Sequence, residues 1–225
     1  PQAALPPRLR HPGDARAQIE EALALVRSEL GVQARGMWPS EGAVSQEAAE
    51  LMAESGVEWA ASDEQVLAAS DLEDPPDPGR PWALDPAGRG LSLVFRDHDL
   101  SDRIGFTYAR SDPAQAAQDF LASALKRARS AGTGDRLALV ALDGENPWEH
   151  YPRAGARFLR ALYGALAGHP SLAGETVGGA IAGIPKRGRI RRLRAGSWIR
   201  ADFSAWIGGP EKNRAWSVLG QIRSG

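Results

Sequence analysis

The sequence predicts an α/β fold, a parallel sheet or β/α barrel whose strands alternate with helices. Strand-like and helix-like segments follow one another along the chain. Residues 137–142, Leu-Ala-Leu-Val-Ala-Leu, are apolar on both faces, as a strand buried between two layers is. Polar residues gather where strand-like runs end, at Glu41, Asp63, Asp97 and Asp143. In β/α folds that edge is where active sites are built. Roughly four or five strands are visible, too few to close an eight-stranded barrel.

From Asp14 the apolar positions Ile19, Leu23, Val26 and Leu30 repeat at helical spacing, and Gly31 stops the pattern. Residues 36–41 are extended, because Pro39 disfavours helix at Trp38. Ser45 caps a second helix through Leu51 and Met52, with Gly56 just past its end. Residues 57–63 form a strand that ends in Ser62 and Asp63. Residues 71–90, rich in Pro, Asp and Gly, are expected as a surface loop. A strand over 91–95 runs into Arg96-Asp97-His98-Asp99. Asp112 and Pro113, as cap and first position, open a third helix through Phe120, Leu121 and Leu125. A fourth helix carries Phe158, Leu159, Leu162 and Leu166. Residues 196–199 are short and extended, and Pro210 begins a closing helix against which Trp206 and Trp216 pack.

The 225 residues hold 27 Lys+Arg against 28 Asp+Glu, a formal charge of −1. That balance excludes a globally basic nucleic-acid binder. With 43% hydrophobic and 24% charged residues the chain is globular, not disordered. No apolar run approaches the ~20 residues that span a bilayer, so no membrane partner is expected. The lack of Cys excludes disulfides, Cys-ligated zinc and Cys nucleophiles, and fits a reducing, cytoplasmic setting. The chain opens at Pro1 without an initiator Met or a signal-like segment, which reads as a piece of something longer.

Glu41 and Asp143 are the sharpest chemical pair. Each follows a short strand, and each is flanked by Gly and by a Trp, Trp38 or Trp148. Cleavage of a glycosidic bond needs one carboxylate as nucleophile or base and one carboxylic acid to protonate the leaving oxygen. Strand-end acids also serve a plainer purpose, capping the next helix or pairing with Arg. Arg96, Asp97, His98 and Asp99 are candidates for sugar hydrogen bonds or metal ligands, and His150, beside the Asp143 loop, for a substrate contact. With four His in the chain and no His-x-x-x-His spacing, no metal site and no cofactor are expected. The basic run 186–194 has no interleaved aromatics and reads as a solvated loop, with no nucleic-acid partner.

Three blocks resemble a known family. Gly36-Met37-Trp38-Pro39-Ser40-Glu41-Gly42, followed by Gly56-Val57-Glu58-Trp59-Ala60, resembles the nucleophile region of glycoside hydrolase family 57. Leu142-Asp143-Gly144-Glu145-Asn146-Pro147-Trp148-Glu149 is similar to its general-acid region. Gly196-Ser197-Trp198-Ile199, Trp206-Ile207-Gly208 and Glu211-Lys212-Asn213-Arg214-Ala215-Trp216 are similar to its C-terminal signature. The wording Trp-Pro-Ser-Glu-Gly looks closest to the family's uncharacterised bacterial branch.

The resemblance implies a partial (β/α)7-type barrel of parallel strands with C-terminal helices. Residues 1–185 would be the C-terminal part of the barrel, and 186–225 a loop and helical extension packing on it. The implied activity is a retaining glycoside hydrolase or transglycosylase on α-linked glucans, of the α-amylase, branching or 4-α-glucanotransferase type, working without a metal. Glu41 would be the nucleophile and Asp143 the general acid/base. Trp38, Glu145, Trp148 and Trp198 would line sugar subsites, with Asp97 and His150 as further substrate contacts. The expected partners of this chain are an oligo- or polysaccharide substrate and, because the family's N-terminal His motif has no counterpart, a missing N-terminal segment of the same protein. The alternative is a catalytically inactive carbohydrate-binding or regulatory module derived from the same barrel.

Overall fold

The structure is a computed structural model, and it describes residues 12–85, 88–130, 133–185 and 187–224. Pro1 and Lys186, both singled out above, lie outside them. The chain divides into two compact units. One comprises Pro1–Pro76, Pro81–Phe95 and Arg187–Gly225, the other Asp77–Arg80 and Arg96–Lys186.

Local signals set most elements of the first unit. Helix α1 spans Pro12–Leu30, and Gly31 ends it with φ 67° and its N–H on the Arg27 carbonyl. Strand β1 is Gly36–Met37. Helix α2, Gln46–Glu54, begins where the Ser45 hydroxyl accepts the Ala48 N–H at 3.1 Å, and Gly56 follows it at φ 84°. Strand β2 is Trp59–Asp63, and Asp63 caps the short helix α3, Glu64–Ala68, by accepting the Gln65 N–H at 2.9 Å. Strands β3 (Asp71–Leu72), β4 (Trp82–Leu84), β5 (Leu91–Arg96) and β6 (Gly188–Arg192) complete a six-stranded sheet in the order β1-β2-β5-β4-β6-β3. Its core holds Val66, Leu67, Trp82, Leu93 and Phe95, all fully buried. Among the described residues no helix is long and apolar enough to cross a membrane.

Three expectations are corrected here. The sheet is mixed, not all parallel: β1 runs parallel to β2 and β4 to β6, but β4 is antiparallel to β5 and β3 to β6. The Pro- and Gly-rich stretch 71–90 is not simply a loop, because it carries β3 and β4, with Trp82 at 0% exposure. Pairing along β5 and β6 outweighs the turn signals on either side of Trp82. The basic run is also a strand. In β6 Gly188 and Ile190 point inward while Arg189 and Arg191 stay exposed, pairing with Glu73 and Asp71 at 3.7 and 3.5 Å. One buried Ile between two long cations was enough to join the sheet, since their charged heads reach solvent.

The second unit is helical: α4 (His98–Asp102), a π-turn over Arg103–Thr107, α5 (Pro113–Ser130), α6 (Asn146–Glu149), α7 (Ala156–Ala167) and α8 (Val177–Gly183). Asp112 caps α5 as its sequence predicts, accepting the Ala114 and Gln115 N–H groups. Helices α5 and α7 pack through Leu121, Phe158 and Leu162, joined by Tyr108 and Tyr151. A further correction falls on 137–142. The run makes one parallel bridge, Arg96 with Leu139, and its side chains are half-buried to exposed. An apolar composition supplies strand propensity, but a single bridge does not extend a ladder.

In the first unit the chain closes with α9 (Pro210–Ser224), preceded by Phe203 and Ala43 in a small cluster with Trp206 and Ile207. The Trp216 indole N–H, on α9, donates to the Trp206 carbonyl at 2.9 Å, while the Trp206 ring meets Phe203 at 6.3 Å between centroids.

Candidate active site

Trp38, Glu41 and Trp198 come together in the first unit, and they do so through a strained turn. Pro39 is extended, and residues Ser40–Gly42 form a single 3₁₀ turn closed by the Gly42 N–H on the Pro39 carbonyl at 2.9 Å. Glu41 inside it has φ 60° and ψ 23°, the left-handed region that costs a non-Gly residue about 1–2 kcal/mol. Such strain persists only where neighbours impose it, and it gathers at functional sites. Here the neighbours are identifiable. Ser62, buried at the end of β2, donates its hydroxyl to the Gly42 carbonyl at 2.7 Å. Val44 exchanges two backbone hydrogen bonds with Gly196, at 2.8 and 3.0 Å.

The bridge at Gly196 delivers Trp198. The segment is extended only to Ser197 and then turns, with Arg200 and Ala201 at φ 61° and 54°. A Cβ on Gly196 would lie 2.3 Å from the Ala201 carbonyl oxygen, so only Gly permits this approach. The Trp198 indole N–H donates to Glu41 Oε2 at 2.8 Å, and its backbone N–H reaches the Glu41 carbonyl at 3.3 Å. Its ring meets Trp38 edge-on, 5.1 Å between centroids at 61°. The result is an exposed carboxylate beside two aromatic rings, with one oxygen fixed by an N–H donor. That arrangement suits attack on a sugar carbon, with aromatic surface for the apolar face of the ring.

Asp97, Asp143, Glu145, Trp148 and His150 lie in the second unit. Asp143 is half-buried, in the segment that follows Leu139 and Ala141. That segment is held by the Asp97 N–H on the Leu139 carbonyl at 2.8 Å, by Arg96 Nη1 on the Ala141 carbonyl at 3.2 Å, and by the Ala141 N–H on Ser101 Oγ at 3.3 Å. Glu145 is exposed at the start of α6, and its side chain makes no capping bond there. His150 is exposed at the other end of that helix. Trp148 is half-buried, 5.3 Å from Tyr151 between ring centroids, and covers Gly155, where a Cβ would lie 2.5 Å from the indole. Tyr151 anchors this corner, donating to the Ile104 carbonyl at 2.6 Å, and burial pushes its phenol up to about 12.

Asp97 is buried. One oxygen accepts the Leu100 N–H at 2.8 Å, capping α4, and the other faces Arg127 Nε at 2.8 Å. Its geometry is that of a strand-end acid capping the next helix. His98 lies between Arg96 Nη2, 3.1 Å from its Nδ1, and Asp102 Oδ2, 3.1 Å from its Nε2. Among the described residues no three His, Asp or Glu are gathered to hold a metal ion. Ser62 and Ser101 are contributors that the sequence reading did not single out; their only signal was position, near the end of β2 and in the helix that follows β5. Arg96, a candidate for sugar contacts, instead holds the Ala141 carbonyl and Asp102.

No match was found among curated proteins. Solved structures that share the fold include three enzymes. A GH57-type branching enzyme from Pyrococcus horikoshii matches 97% of this chain with a TM-score of 0.75 and 14% identity. The α-amylase AmyC from Thermotoga maritima matches 83% at 0.69 and 17% identity. A 4-α-glucanotransferase from Thermococcus litoralis matches 99% at 0.67 and 19% identity. The chain spans 50%, 48% and 32% of their respective lengths. Its fold is therefore part of a (β/α)7-type barrel architecture, with a mixed sheet in the portion seen here. The model of glycosyl hydrolase family 57 matches residues 3–188. The chain belongs to that family.

Proposed function

We propose that this chain carries the catalytic carboxylates of a retaining glycoside hydrolase or transglycosylase acting on α-linked glucans. The observation that carries the reading is Glu41, held in the left-handed region with its carboxylate on the Trp198 indole N–H. In the first step a Glu41 oxygen attacks the anomeric carbon from the β face. The bond from that carbon to the leaving oxygen breaks, and Asp143 gives its proton to that oxygen. A glycosyl ester of Glu41 remains. In the second step water, or a second sugar's hydroxyl in transfer, attacks the same carbon, the ester bond breaks, and the Asp143 carboxylate takes the proton. Two inversions return the α configuration.

Trp38 and Trp198 supply aromatic surface for sugar rings on the nucleophile side. Trp148, Glu145 and His150 supply contacts on the acid side. Asp97 is assigned to holding the start of α4, since its two oxygens already meet Leu100 and Arg127. The expected division at residue 185 shifts, because β6 joins the sheet at residues 188–192. We further infer that the barrel portion runs through β6, with the rest of the chain an extension, and that a preceding segment of the same protein completes the barrel. Without cysteines, the chain suits a cytoplasmic setting.

The test is stereochemical. The full-length protein is given a linear malto-oligosaccharide, and the anomer first formed is read by NMR. The expected product is the α anomer. With Glu41→Gly, azide and an α-maltosyl fluoride, the expected product is the β-glycosyl azide, because azide replaces the missing carboxylate on the β face. A β anomer from the wild type, or full activity in Glu41→Gln, overturns the assignment. Glycan binding without turnover selects the inactive binding module instead.

A further inference from the structure

We propose that Arg96 and Ser101 are positioning residues for Asp143, acting through the backbone of Ala141. The inference rests on the proposed role of Asp143 as general acid and adds the device that aims it.

The segment leading to Asp143 has little regular structure to fix it. Residues 137–142 make one bridge, at Leu139, and the ladder stops there. Two residues before Asp143, both backbone groups of Ala141 are taken by side chains from the last residue of β5 and from α4. Arg96 Nη1 donates to the Ala141 carbonyl at 3.2 Å, and Ser101 Oγ accepts the Ala141 N–H at 3.3 Å. Each of these side chains is fixed in turn. Arg96 is buried and its Nη2 donates to Asp102 Oδ1 at 2.8 Å. The same nitrogen stands 3.1 Å from His98 Nδ1, and a guanidinium only donates, so Nδ1 accepts and Nε2–H points to Asp102 Oδ2. Ser101 has no solvent exposure and donates its own proton to the Asp97 carbonyl at 2.7 Å.

Arg96, His98, Ser101 and Asp102 thus form a bracket around the first turn of α4. The bracket grips the two peptide units on either side of Ala141, two residues before the acid. Asp102 and His98 hold the guanidinium fork, and the fork holds the carbonyl. Lys cannot reproduce this, because a single ammonium lacks the planar fork that reaches both Asp102 and Ala141. A shift of about 1 Å in a catalytic group costs up to ~100-fold in rate, and general acid catalysis itself supplies about 10²–10⁴.

The experiment separates aim from general stability by leaving group. Ser101→Ala and Arg96→Lys are made in the full-length protein, and kcat/KM is measured on a malto-oligosaccharide and on an α-maltosyl fluoride. This parameter reports steps up to formation of the glycosyl ester. The sugar oxygen needs a proton to leave, and fluoride does not. A positioning role predicts a fall of about tenfold on the oligosaccharide for both variants, with the fluoride within about twofold. Equal falls on both substrates, or no fall on either, overturn the inference. Asp143→Asn is run beside them: if it keeps full activity on the oligosaccharide, the assignment of Asp143 itself fails, and this proposal with it. If Asp143→Asn loses that activity while the other two variants show no leaving-group dependence, the positioning role alone fails. A wild-type protein that turns over neither substrate overturns both.

Discussion

The Trp198 indole N–H and Glu41 Oε2 are 2.8 Å apart, although 157 residues of chain separate them. One side chain supplies the proposed nucleophile and the other the donor that fixes its orientation. Both are delivered by the antiparallel bridge of Val44 with Gly196.

Trp198→Phe keeps a ring against Trp38 and removes only the N–H donor. A hydrogen bond to a charged group is worth roughly 1.5 kcal/mol here, so kcat/KM on both an oligosaccharide and a glycosyl fluoride is expected to fall about tenfold. The melting temperature is expected to move by no more than ~3 °C. A fall confined to the oligosaccharide would place Trp198 on the acid side of the reaction instead.

Glu41→Gly relieves the left-handed backbone. Urea unfolding is expected to show a gain of about 1 kcal/mol, while turnover without added azide disappears. A lower midpoint would mean that the bond to Trp198 stabilises the turn by more than the φ of 60° strains it.

Gly196→Ala sets a methyl 2.3 Å from the Ala201 carbonyl oxygen and 2.7 Å from its carbon. Backbone cannot swing aside as a side-chain tip can, so a loss of roughly 2–3 kcal/mol in denaturant unfolding is expected. A loss below ~0.5 kcal/mol would show that the 197–202 turn is free to shift, and with it Trp198.

Alkaline pH tests the second unit. Burial raises the Tyr151 phenol from 10.0 to about 12. In the unfolded chain the proton leaves near 10, while the folded chain keeps it to about 12. The folded state therefore binds more protons in that window, and stability falls as pH rises through it. Thermal melting from pH 9 to 12 is expected to drop more steeply for the wild type than for Tyr151→Phe. Parallel curves would mean that the phenol reaches water in the folded protein.

Elements marked by short-range chemistry were legible before any coordinates. Ser45 and Asp112 cap the helices they were expected to cap, Gly31 and Gly56 stand past helix ends, and Pro210 opens α9. Each signal acts within about four residues, so nothing distant can easily override it. The motif around Glu41 and the one around Asp143 were legible in the same way, as residue types in sequence. Pairing was not. The strand in 188–192, β4 hidden among prolines, and the failure of 137–142 to extend a ladder all depend on which segment lies alongside. Strand formation is decided by a neighbour's hydrogen bonds and burial more than by local composition. The left-handed Glu41, its bond to Trp198 and the grip of Arg96 and Ser101 on Ala141 belong to this second kind. Residue identity names the groups that can do chemistry; contacts between distant segments set where those groups point.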